Sequence, residues 1–182
     1  MEPRGAWPFQ VLERARSPWE PGRQELDAWA VLEWTGPAET IACPDIGFIG
    51  ALSRNPIWDI RGLVTPSAAA FLNVPEDDPG RVAARGAMLD EMYAADPALI
   101  LLPKRPQGMA PTARRFLEAL EADGRVAERY VRRDDLLPFR VCFVRADLES
   151  APGERRARVL EALDQLPTYG TAIMRERSAA YR

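Results

Sequence analysis

Asp45 and Asp59 are the carboxylates whose neighbours carry the most chemical meaning. Asp45 follows the short apolar run Thr40–Cys43 and Pro44, and precedes Gly47 and Gly50 in a Gly-x-x-Gly spacing. Asp59 stands near the end of a second run, Ile57–Ile60, with Arg61 and Gly62 directly after it. In open α/β sheets, ligands bind just beyond the carboxyl ends of the strands. If the two runs are neighbouring strands, Asp45 and Asp59 fall on one rim. Glycines there let the backbone approach a strand, a neighbouring helix or a phosphate closely. Each feature also has a plain structural role. Asp45 suits a helix cap, Gly47 and Gly50 suit close packing, and Asp59 with Arg54 or Arg61 suits a surface ion pair. Two carboxylates would need a third ligand to hold Mg²⁺ or Ca²⁺, and no third is evident from spacing, so no metal is expected.

Other chemistry is narrowed by composition. The 182 residues include no histidine, which removes Ser-His-Asp and Cys-His nucleophiles, histidine zinc sites and histidine acid–base catalysis. Proton transfer would fall to Asp45, Asp59, Tyr93 or Tyr130. The only cysteines, Cys43 and Cys142, cannot build a zinc centre alone and are expected as buried thiols. The Gly-x-x-Gly spacing is not the Gly-x-Gly-x-x-Gly dinucleotide fingerprint, and no cofactor is expected. The chain is 47% hydrophobic and 28% charged, enough to bury a core. Its 24 bases and 27 acids give a net charge of −3, which argues against a nucleic-acid partner. No apolar run approaches the roughly 20 residues of a membrane span, and residues 1–20 lack the apolar core of a secretory leader.

The elements that position these residues follow from periodicity and stop signals. Arg23–Thr35 reads as a helix with Leu26, Trp29, Ala30 and Leu32 on or beside one face, ended by Gly36-Pro37. Thr40–Cys43 and Ile57–Ile60 read as strands, with Gly47–Ser53 a short helix between them. Ser67–Leu72 reads as a helical turn, and Asn73–Gly80 as an acidic, mobile loop. Arg81–Ala95 is the clearest helix, with Val82, Leu89, Met92 and Tyr93 inward and Asp96-Pro97 as its stop. Ala98–Leu102 is a third, buried strand, followed by a loop at Pro103–Pro111. Thr112 is placed to cap a helix at Ala113–Ala122. Val126–Arg132 and Phe139–Arg145 alternate as strands of a wide hairpin, and Glu154–Leu166 reads as an amphipathic helix. This order predicts an α/β fold: a three-layer, Rossmann-like sandwich of about five strands, mainly parallel, with an antiparallel hairpin at its carboxyl-terminal edge. The divisions are an extension at 1–22, an α/β domain at 23–146, and a helix and tail at 147–182.

The run Asp45-Ile46-Gly47-x-Ile49-Gly50, then Ser53-Arg54-x-x-Ile57-x-Asp59-x-x-Gly62-Leu63-Val64, resembles the soluble C-terminal domain of bacterial GT-C-type membrane glycosyltransferases. These mannosyltransferase-like and arabinosyltransferase-like enzymes use polyprenyl-phosphate sugars. The resemblance spans Gln24 to Arg145 and includes the strand beginning at Asp96-Pro97 and the two closing strands. Ala51-Leu52 departs from the aromatic pair usual before the serine, Trp58 replaces a small aliphatic residue, and the helix from Glu154 has no counterpart. The family's catalytic carboxylates lie in its membrane part, so none carries over. The resemblance therefore implies an accessory domain, or a detached relative, that positions an acceptor or a lipid-linked donor. Its partners would be a membrane-embedded glycosyltransferase portion and a polyprenyl-phosphate sugar or glycan acceptor. On this reading Asp45, Gly47, Gly50, Arg54, Asp59, Arg61 and Gly62 form the ligand-binding rim, with Arg54 and Arg61 bonding a diphosphate. The domain would lie on the extracytoplasmic face of the inner membrane if attached, and in the cytoplasm if Met1 is the native start. Two other classes remain: a stand-alone α/β binding or protein-interaction module, and a small-molecule transferase on a similar sheet.

Overall fold

The computed structural model describes residues 27–28, 31, 34–36, 38–44, 46–105, 108–134, 137 and 140–150. The strands are β1 (Ile41–Cys43), β2 (Ile57–Asp59), β3 (Leu99–Arg105), β4 (Gly108–Met109), β5 (Tyr130–Arg132) and β6 (Arg140–Arg145). The helices are α1 (Phe48–Ser53), α2 (Pro66–Asn73), α3 (Arg81–Ala95), α4 (Pro111–Glu121) and α5 (Gly124–Arg129), with a 3₁₀ turn at Ala146–Ser150. Asp27, Ala28, Val31 and Trp34 are also helical, within the first predicted helix. The apolar face expected there, Leu26, Trp29, Ala30 and Leu32, lies outside the described residues.

The sheet order is β2-β1-β3-β6-β5, with β4 pairing off this path onto the end of β3. β1 runs parallel to β2 and to β3, whereas β6 runs antiparallel to β3 and to β5. The sheet is thus mixed, which corrects the expectation of a mainly parallel one. The hairpin does form, but β6 inserts against β3 over five residue pairs and leaves β5 at the edge. The composition of β3 could not reveal the polarity of its second neighbour, because buried parallel and antiparallel strands are equally apolar.

Strand residues alternate between two cores, as the two-residue side-chain period requires. Ile41, Cys43, Leu99, Leu101, Cys142 and Val144 join Val31, Trp34 and Ile49 on one face. Ala42, Trp58, Ile100, Leu102, Val141 and Phe143 join Phe71, Met88, Met92 and Phe116 on the other. Both cysteines are buried thiols, as expected. A buried ion pair, Arg140 with Asp27, ties β6 to the first helical residues through both carboxylate oxygens.

Four local expectations need correction. Residues 124–129 are helical, not extended: the Asp123 carboxylate accepts the Arg125 N–H and starts α5, leaving only Tyr130–Arg132 for β5. Thr112 does not cap α4, because Ala110 is the N-cap and Pro111 occupies the first turn. Val82 is 69% exposed. It lies on the solvent side of the first turn of α3, whose Ala84 packs against the core and whose Arg81 lies over the Phe71 ring. The Pro103–Pro111 loop is shorter than expected, since β3 continues to Arg105 and β4 follows.

Candidate functional site

The carboxyl edge of the parallel strands is built by register. Cys43 pairs with Asp59, so β1 and β2 end side by side, as the rim reading requires. Asp45 itself lies outside the described residues. Asp59 is fully buried. Its Oδ1 accepts the Arg61 N–H at 2.8 Å, and its Oδ2 accepts the N–H groups of Leu63 and of Val64, the latter at 3.0 Å. Its own N–H donates to Thr65 Oγ1 at 3.0 Å. One carboxylate therefore organises the whole loop from β2 to α2, because three backbone donors that would otherwise need water converge on it. Gly62 makes the turn at φ +74°, where an added Cβ would lie 2.3 Å from the Ala69 backbone nitrogen. The loop so fixed holds Leu63 and Val64 out in solvent, 71% and 65% exposed.

The other predicted rim residues divide. Gly47 is the exposed N-cap of α1, and Gly50 lies inside that helix, where a Cβ would stand 3.4 Å from Ile57. Neither adopts a positive φ, so the sharp bend expected around this pair is not made by left-handed glycines. Gly50 is a packing glycine between α1 and β2. Arg61 is exposed beside Asp59 and Gly62. Arg54 is on the wrong end of the sheet. It caps the carboxyl terminus of α1 with left-handed backbone, φ 57°. The adjacent Asn55 amide donates to the carbonyls of Gly36 and Glu39, which precede β1. A helix connecting two parallel strands must end where the second begins, so Arg54 cannot share a rim with Asp59 and Gly62.

Chain direction along the sheet reverses at β1, whose neighbours are β2 and β3. In open sheets such a switch marks a crevice at the carboxyl ends. On this end the structure also has an open groove of about 590 Å³. Arg81 begins α3, Arg114 and Arg115 stand early in α4, Glu76 comes from the acidic loop and Glu118 from α4, over a floor of Met109 and Pro111. Arg115 holds Glu76 at 3.0 Å and donates to the Leu72 carbonyl at 3.2 Å. Arg81 donates to the Val74 carbonyl at 3.4 Å and lies over the Phe71 ring, 5.5 Å from its centroid. Sequence reasoning passed over these arginines as solvated helix charges. Their signal was position: cations early in a helix oppose the helix dipole.

Proton chemistry finds no exposed group among the described candidates. Tyr93 and Tyr130 lie at the amino end of the sheet, 7% and 4% exposed, and neither hydroxyl has a hydrogen-bond partner among the described residues. Burial, reinforced by Asp123, pushes Tyr93 up to about 12. Burial, then Asp96, also raises Tyr130. The Arg125 and Arg129 guanidinium groups lie 4.3 and 5.3 Å from the Tyr93 ring centroid and lower its pKa, but burial prevails. Among the described residues no group of three or more Cys, Asp or Glu is placed to hold a metal ion. No helix among them is long and apolar enough to cross a membrane.

A family model described as Domain of unknown function (DUF8728) matches residues 16–151. No curated protein and no solved structure matches the chain.

Proposed function

The chain belongs to the DUF8728 domain family, and we propose that it is a non-catalytic α/β binding domain whose ligand lies at the carboxyl edge of the parallel strands. In this reading the fold is a three-layer, Rossmann-like sandwich. The domain serves as an accessory to, or detached relative of, a membrane glycosyltransferase and positions an acceptor or a polyprenyl-phosphate sugar. The supporting observation is how the reactive groups are used. Asp59 is consumed by three backbone N–H groups, and Tyr93 and Tyr130 are buried, while the carboxyl edge keeps an open, arginine-lined groove. Binding needs such a groove; acid–base turnover needs a carboxyl or phenol that can reach a substrate. A second reading, a stand-alone protein-interaction module, is supported by the rigid display of Leu63 and Val64.

The deciding experiment titrates the chain with a water-soluble, short-chain prenyl-phosphate sugar, following backbone amides by NMR and sugar transfer by mass spectrometry. Saturable shifts at the carboxyl-edge loops without transfer are expected. Transfer by this chain alone overturns the non-catalytic assignment. Absence of any shift removes the glycosyltransferase reading and leaves the interaction module.

A further inference from the structure

Three guanidinium groups line the groove at the start of α3 and α4, and their placement is unfavourable without a counter-charge. Arg81 is the first residue of α3, and Arg114 and Arg115 follow Pro111 within the opening turns of α4. Both helices begin without a side-chain cap and without an acid in the first turn. The partial positive charge of the free N–H groups therefore adds to the repulsion among the arginines. The acids present offset it in part: at the start of α3 the Asp78 carboxylate accepts the Gly80 N–H at 2.7 Å. Glu76 is committed to Arg115. Glu118, one turn beyond Arg114, forms no ion pair with it. The Arg114 backbone N–H donates to the Ala110 carbonyl, but its guanidinium has no hydrogen bond or ion pair among the described residues.

We infer that this groove is a binding site for a phosphate or diphosphate group, with Arg114 as its principal ligand and Arg81 and Arg115 as its walls. The two walls are pre-organised. The Val74 carbonyl and the Phe71 ring hold Arg81, and the Leu72 carbonyl and Glu76 hold Arg115. Little further side-chain entropy is lost when they meet a ligand. Arg81 spends a single N–H on Val74, so most of its planar fork remains for oxygens, the geometry that phosphate matches. Arg114 is exposed and supplies the charge that closes on the anion. Glu118 repels a dianion and confines it to the Pro111 end. Met109 and Pro111 form an apolar floor for the body of a phosphate ester. A volume of about 590 Å³ accommodates such a small ester. The inference rests on the groove's own chemistry and holds whether or not the chain serves a glycosyltransferase.

Isothermal titration with pyrophosphate tests it, using the full chain at low salt. Saturable binding is expected, weakened roughly tenfold in Arg114→Gln, since one charge-assisted contact carries about that factor. Glu118→Gln is expected to tighten binding several-fold. Both residues are exposed, so matched melting curves confirm that the fold is unchanged. A second arm compares a soluble phosphate monoester with vesicles carrying phosphatidic acid, which separates a free phosphate from a lipid headgroup. No saturable pyrophosphate binding, or binding indifferent to both substitutions, overturns the site. Prenyl-phosphate sugar binding that survives Arg114→Gln leaves the wider function standing and removes only this groove.

Discussion

Replacing Gly62 by alanine adds one methyl group at the least forgiving point of the carboxyl edge. Its carbon would lie 2.3 Å from the Ala69 nitrogen, 2.5 Å from its Cα and 2.7 Å from its Cβ. Two of these atoms are backbone of α2, so relief requires moving the helix or the loop. The loop is itself pinned, by Asp59 through the N–H groups of Arg61, Leu63 and Val64. Left-handed backbone at φ +74° costs an alanine about 1–2 kcal/mol. Forcing a methyl group into filled space costs about 1–3 kcal/mol more. The sum, about 2–5 kcal/mol, is a large part of the roughly 5–15 kcal/mol that stabilises an ordinary domain. For a chain of this length it lowers the melting temperature by roughly 5–15 °C. Circular dichroism melts and urea titrations read this directly. Gly47→Ala is the control: it has open space within 4 Å and no positive φ. A Gly62→Ala protein melting within about 2 °C of the parent would refute the claim that this turn is fixed by sterics.

Asp59→Asn keeps one acceptor oxygen but sets an amide against backbone donors, and is expected to cost about 1.5–3 kcal/mol. Combined with Gly62→Ala it should fall short of additivity, because both act on one loop; strict additivity in urea unfolding would separate them. Gly86 lies inside α3 with nothing within 4 Å of an added Cβ, so Gly86→Ala is expected to stabilise by about 0.5–1 kcal/mol, and a lower urea midpoint contradicts this. Tyr93 ionises near 12 when folded, against 10.0 for a free phenol, and Tyr130 shifts the same way. Above pH 10 the unfolded chain thus holds fewer protons than the folded one, and the stability present below that pH is lost as pH rises toward 12. Tyr93→Phe with Tyr130→Phe should flatten this alkaline loss at a cost below about 1 kcal/mol at pH 7, since no well-formed hydrogen bond holds either hydroxyl among the described residues; an unchanged slope between pH 10 and 12 sinks the assignment.

What the residues alone determined was local and strong. Arg81–Ala95 was legible to its ends, because apolar spacing, Gly80 before it and Asp96-Pro97 after it agree. β1, β2 and the start of β3 were legible as short apolar runs between turn residues. The pairing of β1 with β2 was only a condition in the sequence; the register meets it and puts Asp59 at the carboxyl edge. Where two signals competed, sequence failed. Val126–Arg132 alternates like a strand, but the Asp123 cap tips residues 124–129 into α5.

Tertiary structure decided everything that depends on direction and depth. Only the fold could place β6 antiparallel between β3 and β5, since an apolar strand carries no record of its neighbour's polarity. Only the fold could send Arg54 to the opposite end of the sheet from Asp59, because that follows from where α1 stops, not from residue type. The role of Asp59 also turned on depth. On a surface it is a ligand or half of an ion pair; fully buried beneath three backbone donors, it is the loop's anchor. Arg81 is far in the chain from the consecutive Arg114 and Arg115, and meets them only because α3 and α4 both begin at the carboxyl edge. Convergence of like charges is a property of packing, and no single stretch of sequence contains it.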